Sequence, residues 1–498
     1  MERSGSSRPP SVLLLYLVCG LLTAVLIVYA RTRAFAWDEG FHLITAQLVK
    51  AGKRPYIDWV FSQPPLNAYW NALWMGIFGE SWRVVHTVAA LCTACAVFLI
   101  ARFTLAQFPV PRWRLPLAIL TAILVGTNIV VVQFGTIGQA YGLTLLAITA
   151  AFGVSVLSPE RKQWTIPFAA GVLAGAGASA TLLTAPVGPV LLIWMILYDR
   201  TGRRWSKLGA FIAGELIPFL PVAWLLVAGL RQTWFGIIQY NLLYRQVQWP
   251  GAIRHDLEVI AGWIDFPQGI VLGLLALGGL LFVHFRSGWD RQSRGVFYLC
   301  ACLAVALTLH ISSAHPTFAR YYLFTTPFLS YLAAAGLYWV GTELRGQPEG
   351  MSRPWLPVIL VCLLVSLALA KTLYDIRNDY NWSDLEQVAA QVEKVTPPGK
   401  TLYANEHIYF LLHRMPPSGH ELRDSHKLAF PPDRAALLHV IPQAVIDQQI
   451  QAGQFDTIES CEEQEWNDAR HLGDLYAMEA DVGDCAVYWD WKGASAAK

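Results

Sequence analysis

Eleven apolar stretches constrain this chain more than any other feature. They lie at about 11–30, 82–102, 115–133, 139–157, 165–180, 182–198, 208–229, 259–285, 295–313, 318–340 and 355–375. A hydrocarbon layer ~30 Å thick takes roughly 20 apolar residues to cross as a helix, and only an internally hydrogen-bonded backbone is tolerated inside it. Composition points the same way: 14% of residues are charged, against about 25% in soluble domains. The chain therefore reads as a mainly α, polytopic membrane bundle of about eleven spans. The short stretches 165–180 and 182–198 also suit a re-entrant pair.

Basic residues set the expected orientation. With the N-terminus inside, Arg102, Arg112, Arg161, Lys162, Arg200, Arg203, Arg204, Lys207, Arg286, Arg291, Arg345 and Arg353 fall in inner loops. The first stretch is followed by Arg31-Thr32-Arg33 instead of a small-residue cleavage site, which favours a span over a signal peptide. An odd number of spans then places the tail outside, in keeping with a bacterial inner membrane. Residues 1–375 form the expected membrane module, with an outer loop at 31–81, and 376–498 a small outer α/β domain. In that tail Leu385, Val388, Ala389 and Val392 suggest a helix, and 401–404 and 485–488 suggest strands. Cys461 and Cys485 lie there too, where an oxidising compartment permits a disulfide. The formal net charge of +2 gives no global field for nucleic acid.

The outer loop carries the chemistry. Trp37-Asp38-Glu39 follows the first span, and Trp37, Phe41, Ile44 and Leu48 recur at helical spacing, so 37–50 reads as an amphipathic helix with its apolar face on the membrane. Pro65 opens a second surface helix at about 65–78, rich in Trp70, Trp74 and Phe78. Two carboxylates where membrane meets water suit a reaction on a lipid-borne substrate. A general base takes an acceptor's proton, and a cation holds a departing phosphate. Acidic residues at a helix start also serve simply to complement its dipole.

Three elements together, Trp37-Asp38-Glu39, Tyr56-Ile57-Asp58 and Gln63-Pro64-Pro65-Leu66, resemble those of the GT-C glycosyltransferases. The likeness is to bacterial members of the dolichyl-phosphate-mannose protein mannosyltransferase type and to lipid A aminoarabinose transferases. The run from His315 to Pro327, containing Arg320-Tyr321-Tyr322, resembles that family's late Arg-Tyr element. The resemblance implies a GT-C bundle acting as an inverting, polyprenyl-phosphate-sugar-dependent hexosyl- or pentosyltransferase, with a lipid, glycan or protein as acceptor. It also implies a catalytic Asp in the first outer loop, which falls on Asp38 with Glu39 beside it. Gln63 departs from the pattern, since many relatives place His before Pro-Pro.

For the donor phosphate and sugar the candidates are Arg320, Tyr321, Tyr322, Arg245 and Arg254. Asp58 and Gln63 are candidates for acceptor binding or loop orientation. No His/Cys/Asp spacing amounts to a metal site. The adjacent carboxylates offer a divalent cation two ligands, and no other cofactor is indicated. A secondary transporter or lipid flippase with an outer accessory domain is the rival reading. It calls for polar groups at the midplane of broken helices, whereas the polar groups here cluster outside. Glu215 lies inside a predicted span, where a charge calls for a partner or a cavity.

Overall fold

In the computed structural model, which describes residues 11–245, 251–262, 265–343, 354–461 and 464–493, each apolar stretch is largely helical. Arg345, Arg353 and the lead 1–10 lie outside the described residues. Eight described helices are long and apolar enough to cross a membrane: Val12–Thr32, Trp82–Gln107, Tyr141–Glu160, Arg204–Ala228, Pro267–Phe285, Arg291–Ser312, Ala319–Glu343 and Trp355–Asp375. Thr165–Ala180 and Leu182–Leu197 are shorter apolar helices. The stretch 115–133 is broken into Arg114–Gly126 and Ile129–Phe134, with the Asn128 side chain accepting from the Val130 N–H at 3.2 Å to cap the second piece. The chain is an integral membrane protein.

Contacts divide the chain into two units. The first comprises 1–31, 86–220 and 251–378, and the second 32–85, 221–250 and 379–498. In the first, helices approach closely where side chains are absent. A Cβ added at Gly171 would collide with the Phe211 carbonyl, one at Gly175 with the Glu215 carbonyl, and one at Gly214 with that of Phe168. Small residues spaced like this let membrane helices touch backbone to backbone. The Glu215 carboxylate lies over Gly188, where any side chain would displace it. Lys207, counted by sequence among the inner-loop cations, is instead buried. Its ammonium donates to Asp199 Oδ1 at 2.7 Å and to the Ser158 carbonyl at 2.6 Å.

The second unit contains the sheet. Strands β1 (Leu402–Tyr403), β2 (Thr457–Ser460), β3 (Tyr476–Val482) and β4 (Cys485–Trp491) lie in the order β1-β2-β4-β3, with β1 parallel to β2 and the other pairs antiparallel. A disulfide joins Cys461, just after β2, to Cys485 at the start of β4. The helix Trp382–Val395 buries Leu385, Val388, Ala389 and Val392 as its periodicity foretells. It begins in a capping box in which Asn381 Oδ1 accepts from the Ser383 N–H and Asp384 accepts from the Asn381 N–H, both at 2.9 Å.

The first loop corrects one expectation. The helix Gly40–Lys50 does form, but its apolar face is not laid on a membrane: Leu43, Ile44 and Ala46 share a protein core with Met75, Trp82, Trp382, Leu385 and Ile408. An apolar stripe at helical spacing specifies burial without specifying against what. The helix Leu66–Phe78 turns the other way, exposing Leu73, Ile77 and Phe78 and burying Asn67 and Asn71.

Candidate active site

The acidic residues occupy a single 3₁₀ turn, Trp37–Glu39, entered from extended Ala36 and running directly into the helix at Gly40. The Glu39 N–H closes the turn on the Ala36 carbonyl at 2.9 Å. The two carboxylates sit in different surroundings. Glu39 is completely buried and accepts from Trp382 Nε1 at 3.3 Å, whereas Asp38 is partly exposed. Trp37, half exposed, stacks on Tyr380 with centroids 5.1 Å apart and planes 18° from parallel.

A residue that sequence reasoning did not single out completes the turn. His407 is buried, with its ring 5.7 Å from Phe35, 5.9 Å from Trp37 and 5.2 Å from Trp382. Burial pushes its pKa down to about 4, against the pull of Glu39, the Ala36 carbonyl and Asp38. No sequence signal points to it, since it is one of six histidines scattered along the tail.

Downstream, Tyr56 is buried in the left-handed region at φ 67°. Its hydroxyl donates to the backbone carbonyl of Gln63, whose own side chain is partly exposed. Asp58 is occupied in shaping this loop: it accepts from the Arg54 backbone N–H at 2.7 Å and from the Arg54 guanidinium at 3.1 and 3.3 Å. Burial works to raise the Asp58 carboxyl, but Arg54 outweighs it and holds the group below the usual carboxylate range. The loop packs on the π-helix Phe235–Tyr244, where Gly236 leaves room for the Phe61 carbonyl and the Tyr56 ring, and Asn241 Nδ2 donates to the Ser62 carbonyl at 2.9 Å. Arg245, partly buried, directly follows that helix.

In the first unit, Arg320 sits in the 3₁₀ segment Ala319–Thr325, its guanidinium 4.3 Å above the Phe318 ring. Tyr321 and Tyr322 are buried, and the Tyr322 hydroxyl shares a 2.7 Å hydrogen bond with Ser312 Oγ. Asp256, which sequence reasoning passed over, holds the approach to this segment. It binds His315 Nδ1 and accepts from the Thr317 N–H at 2.7 Å, while His255 meets the Thr317 carbonyl at 3.0 Å. His310 contacts the Leu182 carbonyl at 3.1 Å. Arg254 is 89% exposed and paired with Glu258 at 2.8 Å on one helix face. Among the described residues, the one cluster with metal-ligand spacing is Glu459, Cys461 and Cys485, and its sulfurs are bonded to each other.

No protein-family model and no curated protein matches the chain. Solved structures do. ArnT from Cupriavidus metallidurans, bound to undecaprenyl phosphate, is similar over 97% of this chain and 98% of its own, with a TM-score of 0.67 and 13% identity. The archaeal oligosaccharyltransferase AglB from Archaeoglobus fulgidus, in complex with an inhibitory peptide and a dolichol-phosphate, is similar over 92% of this chain and 71% of its own, with a TM-score of 0.54 and 14% identity. The chain has the GT-C fold. At these identities the likeness is one of fold. The GT-C assignment agrees with the first-loop and late Arg-Tyr resemblance, which rests on different observations.

Proposed function

We propose that this membrane protein is an inverting glycosyltransferase that moves a sugar from a polyprenyl-phosphate-linked donor to a lipid, glycan or protein acceptor on the outer face of the membrane. The observation that carries the reading is the division of labour in the acidic turn. Glu39 is buried on Trp382, while Asp38 is partly exposed. The undecaprenyl phosphate and dolichol-phosphate held by the two structural neighbours support the donor class.

In this mechanism Asp38 takes the proton of the acceptor hydroxyl or amine. The acceptor lone pair forms the new bond to the anomeric carbon as the carbon–oxygen bond to phosphate breaks, with inversion. The phosphate leaves with that electron pair, and Arg320 stabilises its charge. Tyr321 and Tyr322 shape the surroundings of Arg320. Glu39 anchors the turn, and Asp58 orients the loop through Arg54.

The test is transfer by purified protein, given a panel of radiolabelled polyprenyl-phosphate sugars and lipid, glycan and peptide acceptors. Label should pass to one acceptor class with wild-type protein and not with Asp38→Asn. Transfer that is equal in both proteins removes Asp38 from the mechanism. Donor moved across a bilayer without transfer would make the chain a flippase.

A further inference from the structure

We propose that His407 is a positioning residue of the acidic turn: its ring, laid against Gly40, fixes the direction in which Asp38 presents its carboxylate. The inference rests on the reading of Asp38 as base.

The contact is tight. A Cβ built on Gly40 would lie 2.5 Å from Nδ1, 2.7 Å from Cε1 and 2.9 Å from Cγ of His407. Only a glycine therefore lets the ring reach the backbone where the turn becomes helix. Phe35, Trp37 and Trp382 surround the imidazole. Neither ring nitrogen makes a hydrogen bond of ordinary geometry within the protein. Leaving a buried polar group poorly satisfied costs stability, a cost that an apolar side chain would avoid. What imidazole offers is shape: it is flat, and its five-membered ring is smaller than a phenyl. Burial keeps it uncharged near neutrality, so it forms no ion pair that would draw the carboxylates aside.

Two fixed points thus follow Asp38 directly: Glu39, held by Trp382, and Gly40, held by His407. A carboxylate on so short a turn has little freedom left beyond its own side-chain torsions. An error of ~1 Å in such a group costs turnover by as much as ~10²-fold without weakening binding in proportion.

The experiment compares His407→Ala, His407→Leu, Gly40→Ala and the double variant Gly40→Ala/His407→Ala in the transfer assay, alongside Asp38→Asn, with melting curves for each. Leu fills the site but offers no flat face to Gly40. The expected result is a fall in kcat of about tenfold or more in each single variant, with KM for donor within about threefold of wild type. The double variant, in which the added methyl has room, should recover much of what Gly40→Ala loses. Wild-type kcat in a folded His407 variant overturns the inference, as does a double variant no faster than Gly40→Ala. Loss of the fold in both His407 variants would make the residue a core filler and also overturn it. Full activity in Asp38→Asn would instead remove the base assignment underneath.

Discussion

Trp382 Nε1 and Glu39 Oε2, 3.3 Å apart, tie the first helix of the tail to the acidic turn of the first loop. This bond separates two adjacent carboxylates that look equivalent in the sequence. Asp38→Asn keeps size and loses basicity, so turnover should fall by ~10²-fold or more while donor binding survives. Glu39→Gln and Trp382→Phe should act chiefly on stability, on the scale of about 1–3 kcal/mol for disturbing a hydrogen bond to a buried carboxylate. Melting curves and kcat measured together decide the matter. Equal kcat losses in Asp38→Asn and a folded Glu39→Gln would contradict the division.

The Arg320 guanidinium lies over the Phe318 ring, 4.3 Å from its centroid, a contact that guanidinium makes more often than ammonium. Arg320→Ala should weaken donor binding and turnover together, because a charge-assisted contact to phosphate is present in both ground and transition states. Arg320→Lys should recover only part of each. Unchanged donor affinity in Arg320→Ala, measured with undecaprenyl phosphate, would remove Arg320 from phosphate binding.

His407, His420 and His426 are each pushed by burial down to about 4. In the unfolded chain they titrate near ~6.5. Between these values the unfolded state binds the extra protons, so the stability they reflect is complete above pH ~6.5 and is lost as pH falls towards 4. Glu406 and Glu421, whose carboxyls desolvation pushes up, work in the opposite direction on the acid side of neutrality. The informative quantity is therefore the melting difference between wild type and His420→Leu. From pH 7.5 to 4.5 it should move steadily in favour of the variant, and a constant difference would show that His420 does not titrate as its burial requires.

The Cys461–Cys485 bond joins residues 24 apart in sequence. A closed loop of that size is worth about 3 kcal/mol in the chain-entropy account, so reductant should lower the melting temperature of the tail. The outer location proposed for this domain predicts a bonded pair in protein isolated without reductant. It also predicts that a single cysteine placed near Gly399, in a background lacking the free ones, labels with an impermeant maleimide in intact cells. Labelling only after lysis would reverse the topology.

The membrane portion was legible because hydrocarbon imposes one rule along every span, and each apolar stretch is largely helical. The break at Thr127–Asn128 was not, because a cap residue inside an apolar run hardly alters hydropathy. In the tail, the helix over 382–395 and strands at 402–403 and 485–491 follow from local pattern. Strands β2 and β3 depend on the partners they meet. Composition draws a boundary at 375, whereas contacts group 32–85 and 221–250 with the tail. The acidic pair was visible as a motif. What distinguishes its members, Trp382 and His407, comes from residues more than 300 positions away, and no local window contains both sides.

That separation has a consequence for synthesis. A ribosome delivers Glu39 early and Trp382 only after nearly all the apolar stretches have emerged, so the acidic turn must wait, exposed, until the last quarter of the polypeptide is made. A chain released before that point can be fully inserted and still lack the partner of its buried carboxylate. Chains truncated at about residue 380 and chains carried past residue 407 should therefore differ in protease sensitivity around residues 37–50, although both contain every apolar stretch.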